Sequence, residues 1–188
     1  MKEYRSAIRS RRMIRAAFIA LLAEKNIEKI TVVDVVERAD ISRNTFYAHY
    51  SDVYAVLEEI ENSYIAELNA YLDAAIAKRE IGDPMPLLRQ IQRFIEKDMD
   101  SNRLLLSNHS SLAFCEKVKR IFMERVLDNL QSVAIRDANG FLIFLQCLAC
   151  GFVDLYQKSI TGEADTTLTE ITDEVGRLFS EGIKLYFA

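Results

Sequence analysis

The sequence predicts an all-α protein, and three observations carry that prediction. Residues Ile30 to Tyr50 hold two helix starts of the same construction, eleven residues apart. The two prolines and six glycines of the 188-residue chain all fall at or beyond Gly82, so the first two-fifths contain no helix breaker. Beyond Asp52, apolar residues recur at helical spacing for several turns.

At the first start, Thr31 has the hydroxyl of a capping residue, and Asp34 stands three positions on, where its carboxylate can reach back to a free N–H. Ile30 can staple onto Val35. The run Thr31-Val-Val-Asp-Val-Val36 also has the composition of a buried strand. Helix is the better reading, because Val32, Val35, Val36 and Ala39 share one helical face while Asp34, Glu37 and Arg38 fall elsewhere. The second start has Ser42 as cap, Thr45 at the third helical position, and Ile41 five residues before Phe46 for the staple. Between the caps only about two turns and a tight corner fit. A helix so short must lean on neighbours, and a second helix exposed on a first is the geometry that enters a DNA major groove.

Short capped helices occur in every all-α fold, so a helical hairpin without a nucleic-acid role is the plain alternative. The second helix argues against it: Arg43, Asn44, Thr45, Tyr47 and His49 crowd its outward positions, and Phe46 is its large inward residue. These are the residue types that contact base edges and phosphates.

The stretch Ala39-Asp-Ile-Ser-Arg-Asn-Thr-Phe-Tyr-Ala-His-Tyr50 resembles the recognition-helix signature of the TetR/AcrR family of transcriptional regulators, within a match from about Arg11 to about Leu57. The resemblance implies a three-helix N-terminal helix-turn-helix domain, followed by a larger helical domain that dimerises and, in most members, binds a small molecule that weakens operator binding. It places the cap of the second helix on Thr31, the recognition helix on Ser42 to His49, and the backbone-contacting aromatic on Tyr47. Two positions depart from the family pattern. Asp40 replaces the usual turn glycine and tolerates the left-handed conformation at small cost. Val53 stands where a phosphate-contacting lysine usually begins the next helix.

Charge is divided in a way that suits this arrangement. The whole chain carries −4, yet residues 1–50 hold ten Lys and Arg against six Asp and Glu, leaving −8 for residues 51–188. Lys2, Arg5, Arg9, Arg11, Arg12 and Arg15 face only Glu3 in the first fifteen residues, an arm suited to phosphate or minor-groove contact. The acidic remainder speaks against membrane surfaces and indiscriminate coating of nucleic acid. Met1 to Arg12 is too charged for a signal peptide. The longest apolar stretch, Gly140 to Val153, contains Gln146 and is shorter than the roughly 20 residues that span a bilayer. Three cysteines fit a reducing compartment, so a soluble, cytoplasmic protein is expected.

The expected division is a DNA-binding domain at residues 1–50 and a helical dimerisation and ligand-binding domain at 51–188. Within the latter, a long helix should run from about Asp52 to about Arg79, its apolar face formed by Val53, Val56, Leu57, Ile60, Tyr64, Leu68, Tyr71, Leu72 and Ile76. Ile81-Gly-Asp-Pro-Met-Pro86 should break it. A helix from about Pro86 to Asp98, an irregular piece around Asp100 to Ser111, and a helix from about Leu112 to Gln131 should follow. Two last helices, about Ala138 to Ile160 and about Leu168 to Phe187, are expected on either side of Thr161-Gly-Glu-Ala-Asp165.

Helix 138–160 is apolar on nearly every side and must be covered all round by its own domain or by a second subunit. Small residues Ala149, Gly151, Gly176 and Gly182 would allow close helix approach. The resemblance implies pairing through the last two helices, and Phe152, Val175, Leu178, Phe179 and Ile183 are the expected interface residues. Tyr64, Tyr71, Phe94, Phe114, Phe144, Gln146, Phe152 and Tyr156 are the residue types wanted in an effector pocket, although each also suits an ordinary core. His109, with Asn108 and Ser107, is a further candidate lining. Cys147 and Cys150 form a C-x-x-C one helical turn apart, which reads as packing before redox chemistry. With two histidines in the chain no metal site is expected, no cofactor is called for, and no residues are arranged for catalysis.

The expectation is therefore a homodimeric transcriptional repressor of a palindromic double-stranded DNA operator, released by a small apolar or amphipathic effector. Two alternatives stand beside it: a DNA-binding organiser or co-regulator whose larger domain answers to a protein partner, and a helical scaffold or enzyme that does not bind DNA.

Overall fold

The computed structural model describes residues 2–75, 83–107, 111–130 and 134–186. Among them the regular structure is helical: α1 Lys2–Leu22, α2 Val32–Ala39, α3 Arg43–Tyr47, α4 Val53–Ala75, α5 Met85–Glu96, α6 Met99–Ser107, α7 Ser111–Leu130, α8 Ala138–Thr161 and α9 Leu168–Gly182. Short 3-10 turns follow at Ile27–Lys29 and Ile183–Leu185.

The residues group into two compact units, the first running through Tyr64 and the second taking Ile65–Ser107 and Ser111–Ala188. The division thus falls inside α4, because Val53, Val56, Leu57 and Ile60 are buried with the first unit. Ile14, Phe18, Val35, Phe46 and Val56 are fully enclosed there. Val53, at the position where the resemblance implies a phosphate-contacting lysine, is only 6% exposed and is core. Asp52 caps α4, accepting from the Ala55 N–H at 2.8 Å. The expected continuation of α4 to Arg79, including Ile76, lies outside the described residues.

In the second unit, α5 begins at Met85, whose N–H donates to Asp83 at 2.9 Å. The irregular piece expected around Asp100 to Ser111 is corrected by α6. Asp98 accepts from the Ser101 N–H at 3.1 Å and starts the helix, while the buried Asn102 side chain donates to the Ile95 and Asp98 carbonyls at 3.0 and 2.7 Å. Those bonds satisfy the end of α5 and the beginning of α6 together, so the backbone polar groups at this corner lose little in being covered. The Ser107, Asn108 and His109 side chains proposed as lining lie outside the described residues.

Helix α8 starts on Asp137, which accepts from the Gly140 N–H at 2.9 Å, and stops at Gly162 in the left-handed conformation, φ 80°. At 24 residues it is long and apolar enough to cross a membrane by length and composition, so the expectation that it was too short does not hold. The apolar run is extended at both ends by helix-compatible residues. One side of α8, from Phe141 through Leu145, Ala149, Phe152 and Tyr156 to Ile160, is buried against its own unit, as in a helix packed within a bundle. Helix α9 opens with a capping box on Thr167 and Glu170. It ends at Gly182 rather than near Phe187, and Phe187 lies outside the described residues.

Candidate nucleic-acid interface

The helix-turn-helix is set by local chemistry at three places. Thr31 Oγ1 accepts from the Asp34 N–H at 3.2 Å, and the Thr31 N–H donates to Asp34 Oδ2 at 2.7 Å. Lys25 Nζ adds an ion pair to the same carboxylate at 2.9 Å. That lysine and the Thr31 donors hold the Asp34 carboxyl at about 2, below its ordinary 3.8. At the corner, Asp40 takes the left-handed conformation, φ 51° and ψ 53°, as an aspartate in a glycine's place can. The Ile41 N–H then returns to the Val36 carbonyl at 3.1 Å. Ser42 Oγ accepts from the Thr45 N–H at 3.1 Å and lies 2.9 Å from the Thr45 hydroxyl, which fixes the start of α3.

Helix α3 is five residues long, and the chain turns at Ala48 before the expected end at His49. Phe46 anchors it, fully buried, with the Tyr47 ring edge-on at 5.6 Å and the Tyr50 ring at 5.8 Å. Thr31, Ser42, Arg43, Asn44, Thr45, Tyr47 and His49 make up the DNA-contacting set expected from sequence, and of these Arg43, Asn44 and Tyr47 stand exposed on α3, Tyr47 by 57%. Thr31, Ser42 and Thr45 are engaged in the caps, so their first role is to aim the helices. His49 is half-buried and lines a depression of about 210 Å³ with Ala7, Ile8 and Arg11.

The basic arm is part of α1, and some of its cations already have partners. Arg11 Nε and Arg15 Nη1 lie 3.8 and 3.5 Å from the Glu59 carboxylate of α4. Arg9 and Arg12 are exposed, and the side chains of Lys2, Glu3 and Arg5 lie outside the described residues. Glu59 is the participant that sequence reading missed. Its signal was faint: two arginines four positions apart on α1 share a helix face and want an acid opposite.

The aromatic residues proposed for an effector pocket enter several described ring contacts. Tyr71 meets Phe94 at 5.5 Å between centroids, and Tyr64 is half-buried on α4. Phe152 meets Tyr156 at 4.3 Å and Phe122 at 5.5 Å, and Phe114 is buried on α7. Phe144 belongs to a different group, with Phe179 at 6.1 Å and Tyr186 at 5.4 Å. Gln146 is exposed and donates to Cys150 Sγ at 3.5 Å, which removes it from any enclosed lining. The helical phase of α8 turns position 146 away from the buried side.

Most of the residues expected at a subunit interface are enclosed within one copy. Phe152, Val175, Phe179 and Ile183 are core within the second unit, and only Leu178, 43% exposed, is free to meet another surface. The uncovered apolar side chains of α8 are Leu142, Ile143 and Leu155, with Ile143 66% exposed. Cys147 is exposed beside them, Cys150 is half-buried, and Cys115 is buried.

Comparison with known proteins bears on the first unit in sequence and on the whole chain in fold. Residues 14–60 match the family model described as bacterial regulatory proteins, tetR family. An uncharacterised HTH-type transcriptional regulator of Bacillus subtilis, YxbF, is 32% identical over 47 residues, 25% of this chain and 12% of that protein. The TetR transcriptional regulator from Streptococcus agalactiae 2603V superposes with a TM-score of 0.69 at 23% identity, over 95% of this chain and 98% of that one. Thermus thermophilus FadR, a TetR-family repressor solved in complex with lauroyl-CoA, gives 0.63 at 22% identity, over 92% and 94%. At those identities the likeness of the solved structures is one of fold.

Proposed function

We propose that the chain, whose residues 14–60 match the tetR-family model of bacterial regulatory proteins, is a DNA-binding transcriptional repressor of that family, acting as a homodimer in the cytoplasm. The observation that carries this reading is α3, a helix with Phe46 enclosed beneath it and Arg43, Asn44 and Tyr47 presented outward. Arginine and asparagine can each pair with a base edge in the major groove, and a tyrosine at the helix end is suited to the flanking backbone.

A two-fold operator requires a two-fold protein. The exposed apolar side of α8, with Leu178 of α9, supplies a surface that a second copy would cover. An effector that weakens DNA binding would enter the second unit, among the Tyr71–Phe94 or Phe152–Tyr156 aromatics, and would be apolar or amphipathic. The close ring packing of those groups favours a second reading, in which the larger unit answers to a protein partner.

Genomic footprinting supplies the operator, and fluorescence-anisotropy titration then measures affinity. Arg43→Ala and Tyr47→Ala should both weaken operator binding with helicity intact, the arginine by about 1 to 3 kcal/mol if it reads a base. Unchanged affinity in both variants would remove α3 as the reading helix.

A further inference from the structure

The depression beside the recognition helix brings together two residues that the sequence assigns separately to DNA contact, Arg11 of the basic arm and His49 after α3. Its walls are Ala7, Ile8 and Arg11 from α1 and His49 from the turn after α3. Two of these four can donate hydrogen bonds to an anion: a guanidinium, and an imidazole that keeps an N–H in either protonation state. Ala7 and Ile8 bring no competing acceptor side chain. His49 follows Tyr47 by two residues, so the depression adjoins the end of the helix proposed to lie in the groove. A helix in the major groove is flanked by sugar-phosphate backbone, and cationic side chains about one turn beyond its end meet phosphate oxygens.

We propose that Arg11 and His49 form a binding site for one DNA backbone phosphate, and that Glu59 holds Arg11 in place until the phosphate takes it over. This rests on the DNA-binding reading given above. The ion pair is suited to such an exchange. Arg11 Nε stands 3.8 Å from Glu59 Oε2, and the Arg11 side chain is 53% exposed, so the pair is a weak surface contact that an anion can displace. Glu59 is not left alone by the exchange, because Arg15 remains 3.5 Å away, itself 3.4 Å from the Ser63 hydroxyl. Burial first, and the negative Glu59 second, push the neighbouring Tyr50 phenol up to about 12. It therefore stays neutral and adds no charge to repel a phosphate.

The test is a salt series of anisotropy titrations on two labelled duplexes, the footprinted operator and a mixed-sequence control. Arg11→Gln should weaken binding to both by a similar factor and reduce the slope of log affinity against log salt by about one unit, with Arg11→Lys restoring the slope. His49→Gln should weaken both duplexes alike. Glu59→Gln should do the opposite of Arg11→Gln and tighten both. A purely structural Arg11–Glu59 bridge would instead make the two variants lose affinity and melting temperature together, and that result overturns the proposal. So does an unchanged salt slope in Arg11→Gln while the wild type binds its operator, which leaves the DNA-binding reading standing. A wild type that binds neither duplex sinks both.

Discussion

The ring of Phe144 on α8 occupies the space that a side chain at Gly182, the last residue of α9, would need: a β-carbon there would overlap the ring's far edge. Phe144 is in turn held by Phe179 and Tyr186, so it has little room to retreat. Gly182→Ala should therefore destabilise the second unit by about 1 to 3 kcal/mol, as added bulk pressed against a held, half-buried ring does. Urea unfolding followed by circular dichroism measures it. Gly151→Ala, with nothing within 4 Å of the added carbon, is the control and should be neutral or slightly stabilising through helix propensity.

Val53→Lys distinguishes a core position from a DNA-facing one. Because Val53 is enclosed, a lysine there should lower the stability of the first unit by roughly 1 to 3 kcal/mol and leave the salt dependence of DNA binding unchanged. A steeper salt slope with an undiminished melting temperature would return the position to the DNA side.

The two apolar sides of α8 should respond differently to charge. Ile143→Glu, on the exposed side, should yield a monomer of wild-type helicity under sedimentation at micromolar concentration, where the wild type is expected to be a dimer. Phe152→Glu places a carboxylate among Phe122 and Tyr156 and should unfold the second unit instead. A dimer that survives Ile143→Glu would move the interface elsewhere.

Acid should loosen the entry to α2. The Asp34 carboxyl titrates at about 2 when folded against an ordinary 3.8, so its contribution is fully present above the higher value and is lost as pH falls toward the lower one. Asp34→Asn should be less stable than wild type at neutral pH and show a flatter loss across that window. Melting temperatures from pH 5 to pH 2 check the sign. A variant whose acid profile parallels the wild type would assign the loss to other carboxylates.

What the sequence made legible follows from the range of the interactions. The caps at Thr31, Ser42 and Asp40's left-handed corner depend on residues within a few positions, and each was readable from residue type. Phe46 as the inward residue of α3 followed from residue type, because polar side chains fill the other positions of that short helix and Ile41 stands at staple distance. The α6 helix was missed although its Asp98 cap is as local as the others; what lies beyond residue type is the buried Asn102 side chain, whose bond to the Ile95 carbonyl spans seven positions. Which side of α8 is buried was hidden by a composition apolar on both sides, and the interface was therefore assigned to residues that turn out to be core. Glu59 meets Arg11 across 48 positions of chain, a separation at which the paired arginines of α1 call for an acid without saying which one.

The caps also have a consequence in time. Thr31 with Asp34, Ser42 with Thr45, Asp137 with Gly140 and Thr167 with Glu170 each close a loop of three residues. The entropy lost in closing a loop rises with its length, and even ten-residue loops close in about 10 to 100 ns. The entries to α2, α3, α8 and α9 can thus be sampled while the chain is still open, long before Arg11 finds Glu59 or Phe144 settles over Gly182. The order of assembly is biased toward correct helix starts, and the slower search is left with prefabricated pieces to dock.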